Sequence, residues 1–293
     1  MRRRIAERQV SRFAIWAQRI ALFSLATTCI AIIIVRSGAL DIVAALSTLG
    51  GALVLAVVAI LLAFAAGIVI WFEGIGGLKQ ALTALLIGFA LIAYPLYLGV
   101  QAYKLPAIYD ITTDPIDPPK FEAIARLRPR DANPVTYAGL YAAEQQRAAY
   151  SDIEPDVTDS SPQEAYDAAL KVINKRKWHI VDSRPPQPAF AREGHIEAIA
   201  RTIILGFRDD VVVRVRATPD GARIDVRSAS RYGRHDLGGN AARVRALIDD
   251  IDDVLAAPHP EKPEKPEKPE KPDKKEQNAK SAQDAGKGTS AKR

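Results

Sequence analysis

The sequence predicts two parts in series. The first is an α-helical membrane anchor of three transmembrane helices. The second is an α+β domain, a four-stranded antiparallel sheet flanked by a leading and a trailing helix. Three observations predict this. The first hundred residues are mostly apolar and hold three runs long enough to cross a bilayer. Between residues 178 and 230, apolar and polar side chains alternate along four segments divided by turn signals. Segments of helical periodicity come before and after those strands. The expected domains are the anchor, 1–104, with spans at about 15–35, 49–72 and 81–100; an exported α+β domain, 105–257; and a disordered Glu-Lys-Pro-rich tail, 258–293.

The 293 residues carry a net charge of +6. Much of it sits in the amino-terminal arginines and the tail rather than on a folded face, so no nucleic-acid partner is expected. The single cysteine, Cys29, lies inside an apolar run. One thiol makes no intramolecular disulfide and no zinc site. It also fails as a lipid-acylation site, because Ala26-Thr27-Thr28 lacks the required small-residue pattern and the apolar run continues past it.

Arg2, Arg3, Arg4, Arg8, Arg12 and Arg19 precede the first span, which runs from about Phe13 to Val35 with Arg19 reaching back to the interface. No cleavage site follows, so the segment is read as an anchor rather than a signal peptide. The second span falls within Ile42 to Phe72, where Gly50-Gly51 is expected to break off the first turns. Trp71-Phe72 suits an aromatic belt. Ala59, Ala63 and Gly67 put small side chains on one face, a seam for close helix packing. The third span is Ala81 to Val100, with Pro95 near its end. No span carries an Asp, Glu, Lys or His at its centre, which argues against a channel or transporter. The dense amino-terminal arginines place that end in the cytoplasm. Three spans then place residues after about 101 on the far side, the periplasm if this is a bacterial inner membrane. Lipid around three spans is one expected partner, and an envelope protein is another.

Residues 105–156 are rich in Pro, Asp and Tyr. The run 114–119 must be extended, since each proline bars its predecessor from the helical region. A helix is expected from Pro134 to Tyr150, within an arm that wraps the core. Ser161-Pro162-Gln163-Glu164 is a capping box with proline at the first helical position, starting the leading helix. Strands are expected at Trp178–Ser183, Gly194–Leu205, Asp210–Thr218 and Ala222–Ser230. Thr218-Pro219-Asp220-Gly221 turns between the last two. Val211, Val213, Val215, Ile224 and Val226 form an apolar face. The opposite face carries His195, Glu197, Arg201, Asp210, Arg214, Arg216, Asp225 and Arg227, so the sheet reads as covered on one side only. Val244, Leu247, Ile248, Ile251, Val254 and Leu255 stripe the trailing helix, Asn240–Ala256. The Glu-Lys-Pro repeats that follow cannot bury enough apolar area to fold.

Several stretches from Asp110 onward stand out together: ITTDPIDPP at 111–119, Tyr150-Ser151-Asp152-Ile153, and Trp178. Gly194-His195-Ile196-Glu197-Ala198, Gly206-Phe207-Arg208-Asp209-Asp210 and DVRSASRYGRHDLGGNAARV at 225–244 join them. In these stretches the chain resembles the bacterial Domain of Unknown Function 1499 family. Ser151 departs from the proline expected between Tyr150 and Asp152. The resemblance covers about 108–256. It implies a single folded unit with an envelope association, and supplies no catalytic residue.

Two surfaces are candidates. Around the glycine-rich turn, Arg227, Ser228, Ser230, Arg231, Arg234, His235, Asn240 and Arg243 suit an anion or a partner beside a helix start. The alternative is that the glycines make the turn, Asp236 or Asn240 caps the helix, and the arginines pair with Asp209, Asp210 and Asp225. The polar sheet face, His195, Glu197, Asp209, Asp210, Arg214 and Asp225, suits a docking partner; its alternative is a solvated charge ladder. His195, Glu197, Asp209 and Asp210 also offer a metal or acid–base cluster, and Ser230, His235 and Asp236 a nucleophilic triad without a nucleophile elbow. No catalytic residue, metal or cofactor is expected. The leading reading is a non-enzymatic envelope protein that recognises a partner. Next come a module for an anionic small molecule or lipid headgroup, and a hydrolase or metalloenzyme.

Overall fold

A computed structural model describes residues 9–38, 42–187 and 193–257. The expected tail and the arginines before Gln9 lie outside the described residues.

Three helices, α1 (Arg12–Ser37), α2 (Ile42–Glu73) and α3 (Leu78–Lys104), are each long and apolar enough to cross a membrane, the pattern of a multi-pass membrane protein. Small side chains let them meet. Ala14, Ala17 and Ala21 of α1 pack with Ala59, Ala63 and Ala66 of α2 and with Ala81 and Ala84 of α3. The seam thus includes Ala59 and Ala63 but continues through Ala66; Gly67 is only half-buried. A side chain at Gly88 would sit 2.5 Å from Ile60 Cγ1, so only glycine allows α3 this close to α2. Gly50 and Gly51 do not break α2, which runs unbroken through both. Large apolar side chains such as Phe23, Ile33, Leu61 and Leu86 face outward. The α2–α3 turn bonds to the segment before α1, with Ser11 N–H donating to Gly76 O at 2.9 Å and Gly76 N–H to Gln9 O at 2.7 Å.

The sheet has six strands, not four, and every pairing is antiparallel. β3 (His179–Arg184), β4 (Gly194–Arg201), β5 (Arg208–Thr218) and β6 (Gly221–Ser230) follow each other in space as in sequence. Two three-residue strands from the arm, β1 (Asp110–Thr112) and β2 (Asp156–Thr158), share the outer edge of β6 end to end. Strands this short carry no readable alternation, which is why the sequence shows only four. They hydrogen-bond what would otherwise be an open edge. At the β5–β6 turn, a side chain at Gly221 would lie 2.1 Å from Thr158 O, so glycine is required for β2 to dock.

The arm adds two short helices, α4 (Ala123–Leu127) and α5 (Leu140–Ala149). The latter is shorter than expected: residues 134–139 lie outside any helix. The leading helix α6 (Pro162–Lys175) starts on the expected capping box. Ser161 Oγ accepts from Glu164 N–H, and Glu164 accepts from Ser161 N–H at 2.9 Å. With the trailing helix α7 (Gly239–Ala256) it covers the apolar sheet face. Val172, Ile173, Val244, Leu247 and Ile251 pack on Ile196, Val211, Val213, Val215, Ile224 and Val226.

Candidate functional site

The other sheet face is not open to water. The arm lies over it, and His195, Glu197, Asp210, Arg214, Asp225 and Arg227 are all buried. The expectation of a sheet covered on one side is therefore corrected: each face has its own cover. Asp209 is also reassigned. It alternates with Asp210 along β5 and pairs in register with Ser230, so its side chain joins Arg243 at the edge of the helix face.

Four clamps hold the arm. Glu197 accepts the N–H groups of Glu122 (2.7 Å), Ala123 (2.9 Å) and Ile124 (2.8 Å), and its neighbour His195 donates Nε2–H to it at 3.0 Å. Burial alone would raise this carboxyl. The bonds from His195, Ile124, Ala123 and Glu122 outweigh it and hold the group at about 2. Arg227 forks onto Asp110 at 2.9 and 2.7 Å and donates to Pro119 O and Val135 O. Its guanidinium lies between the Phe121 and Tyr137 rings, 4.7 and 5.6 Å from their centres. Arg214, Arg216 and Arg223 surround Asp225 and reach across to Asp114 and Asp117 in the proline run. Asp210 takes Arg128 from the arm and Arg231 from beyond β6.

The glycine-rich turn is also internally satisfied. Asp236 caps α7, accepting from Gly238 N–H at 3.0 Å and Asn240 N–H at 2.9 Å. Asn240 accepts from Ser228 and donates to Ser230 and to Tyr109 O. Arg243 binds Ser228, Asn240 and Asp209. His235 Nδ1 accepts from Leu237 N–H, which leaves Nε2 to donate to Leu105 O at 3.1 Å. That bond ties the turn to the residue where α3 ends. Of the expected turn residues, only Arg234 is exposed. Arg243 with Asp209, Arg231 with Asp210 and the Asp236 cap match the plainer of the two sequence readings, whereas Arg227 pairs with Asp110, and Asp225 is held by Arg214, Arg216 and Arg223 instead.

The two chemistry-bearing clusters that the sequence offers do not assemble in the fold. Among the described residues the group able to hold a metal is Asp182, His195 and Glu197, whose ligand atoms lie within 4.8 Å of one another. Asp209 and Asp210 are not in it. Both oxygens of Glu197 and His195 Nε2 are already engaged, and Asp182 is paired with Arg184. In this fold these donors already serve bonds within the protein. Ser230, His235 and Asp236 are each committed to different partners, so no nucleophilic relay forms.

What the sequence did not reveal is a groove on the outer side of the arm, about 670 Å³ in volume. Pro115–Pro118 and Phe121 form one wall; Val135–Tyr137 and one face of α5, Leu140, Ala143 and Arg147, form the other. Arg227 lies at its base and Lys120 at its rim. Large apolar side chains stand exposed beside it: Ile116 (90%), Leu140 (84%) and Tyr141 (71%). The Tyr137 hydroxyl is shut away from water without a hydrogen-bond partner, and burial raises its pKa to about 12. The spacing of Leu140, Ala143 and Arg147 on α5 was the one available signal.

Residues 110–251 match the family model described as Protein of unknown function (DUF1499). That match covers just under half of the chain. All four clamps and the groove lie within it, because the match begins at Asp110, the first strand residue of the arm. No curated protein and no solved structure matches the chain.

Proposed function

We propose that this is a non-enzymatic, membrane-anchored recognition protein whose DUF1499 domain holds an apolar, acidic stretch of an envelope protein. The single observation that carries the reading is the groove lined by exposed Ile116 and Leu140, with Lys120 and Arg147 alongside. Clustered apolar side chains of this size cost free energy in water unless a partner covers them. The two cations favour carboxylates on that partner. The buried ionic clamps serve as scaffold here: Arg227 and Arg231 hold the arm through Asp110 and Asp210, and Arg243 ties α7 to β5 and β6. Arg234 remains available at the surface. The bilayer is the bacterial inner membrane, with the amino terminus cytoplasmic and the domain periplasmic; the amino-terminal arginines support that orientation.

A small anionic ligand is the second reading. What favours it is the pair of cations, Lys120 and Arg147, that line the same groove.

A photo-cross-linking side chain at Leu140 of the full chain, in its own membrane, separates these readings. A discrete protein adduct is expected. It should disappear when Lys120 and Arg147 are both changed to Glu, and should be absent from a probe at Asp220. A small-molecule adduct moves the weight to the second reading. No adduct at Leu140, or an equal one at Asp220, overturns the groove as the site.

A further inference from the structure

The β4–β5 connection, Thr202–Phe207, reads Thr-Ile-Ile-Leu-Gly-Phe. It is tightly built: Thr202 N–H donates to Phe207 O at 2.9 Å, Gly206 N–H to Thr202 O at 3.0 Å, and Phe207 N–H to Thr202 Oγ1 at 2.9 Å. Its tip nevertheless presents Ile203 at 92% exposure, with Ile204 also exposed. At its base Arg201 and Arg208 stand directly opposite each other across the two strands. Both are exposed, and neither has a carboxylate partner among the described residues. Like charges facing across a strand pair are unfavourable unless something anionic lies beside them. The third observation fixes where this tip is. Arg36, in the last turn of α1, donates through Nη1 to Ile203 O and Ile204 O. Arg36 marks the end of an apolar helix long enough to span, and so the level of the bilayer surface.

We propose that this turn docks on the bilayer, with Ile203 in the acyl boundary and Arg201, Arg208 and Arg36 at the phosphates of anionic lipid. An apolar tip with cations at its neck matches the order of layers at a membrane surface: hydrocarbon first, then phosphate. Continuity with the spans selects lipid over a second protein, because the tip is bonded to the end of α1 itself. Docking holds the domain to the membrane at a second point besides the α3 exit. It stands independently of the groove.

The test uses the full chain in nanodiscs, with Cys29→Ala and a nitroxide on Ile203→Cys. A control label goes on Asp220→Cys, exposed at the opposite end of the eleven-residue β5. Collision rates with oxygen, which partitions into lipid, and with a water-soluble nickel chelate report depth. The ratio of oxygen to chelate accessibility is expected to be several-fold higher at 203 than at 220, and higher in phosphatidylglycerol than in phosphatidylcholine discs. Equal ratios at the two positions overturn the proposal. So does a label at 203 shielded from both reagents, which would mean a protein contact. A ratio at 203 that is the same in both lipids overturns the phosphate assignment of the arginines.

Discussion

On one face the sheet turns Ile196, Val211, Val213, Val215, Ile224 and Val226 toward α6 and α7; on the other it turns His195, Glu197, Asp210, Arg214, Asp225 and Arg227 toward the arm. Both sets are buried. The first is covered by side chains that need only be apolar and of the right volume, and dispersion and water exclusion work for many arrangements. The second is covered by donors and acceptors that must each find one another. Its cover is a chain of prolines and short helices whose apolar contribution is one small cluster, Phe121 and Ile124 on Val212 and Ala229. The comparison teaches that a strongly polar strand face does not identify a surface. It can identify a second interface, one whose geometry is set by hydrogen-bond direction.

The largest effect should come from breaking one polar clamp. Arg227→Ala leaves Asp110 buried and unpaired, at a cost of about 3–5 kcal/mol. Leu247→Ala on the apolar face is expected to cost about 2–5 kcal/mol. Hydrogen exchange of the full chain in nanodiscs should tell the two apart. Arg227→Ala should free the arm amides, residues 110–137, before the β5 amides, whereas Leu247→Ala should loosen α6, α7 and β5 together. The double change Arg227→Met with Asp110→Leu sharpens the contrast. Without an orphaned charge it should be closer to the unaltered protein than Arg227→Ala is. A double variant as unstable as the single would mean that the polar face stabilises the fold outright.

Next comes pH. The Glu197 carboxyl is lowered from 4.5 to about 2 in the fold. Its contribution is complete above the unfolded value and is lost as pH falls from about 4.5 toward 2, because the unfolded chain then binds the proton more readily. The amides of residues 122–124 should therefore lose protection on acidification through that window. Glu197→Gln should abolish this dependence and cost about 1–3 kcal/mol, since its NH2 group would face backbone donors.

The smallest effect lies outside both faces. Asp252, on α7, is raised to about 6 by burial and by the nearby Asp156, Asp249 and Asp253. A carboxyl raised in the fold favours the folded state more as it is protonated, so stability should increase as pH falls from about 6. Asp252→Asn should stabilise the fold slightly at neutral pH, by no more than about 0.5 kcal/mol once water screening is allowed for, read as a small rise in melting temperature. No rise, or a fall, would mean that the acidic cluster is balanced by charges elsewhere.

By itself the sequence determined the three apolar helices, the α6 capping box, the four long strands with their apolar face, the α7 stripe and the family to which residues 110–251 match. All of these are local periodicities or short motifs, and each needs only neighbours along the chain to be read. Only the tertiary structure decided which acid each arginine meets. Arg227 finds Asp110 and Glu197 finds the amides of 122–124 across 117 and about 75 residues of chain respectively. The same holds for β1 and β2, which are strands only because β6 has an edge to offer. The groove is likewise a product of folding: Pro115, Tyr137 and Leu140 share no sequence pattern, and become one surface because the clamps beneath them leave the arm a single path across the sheet. Hydrogen bonds of this kind are directional and non-local, so residue types along the chain constrain them far less than they constrain an apolar face.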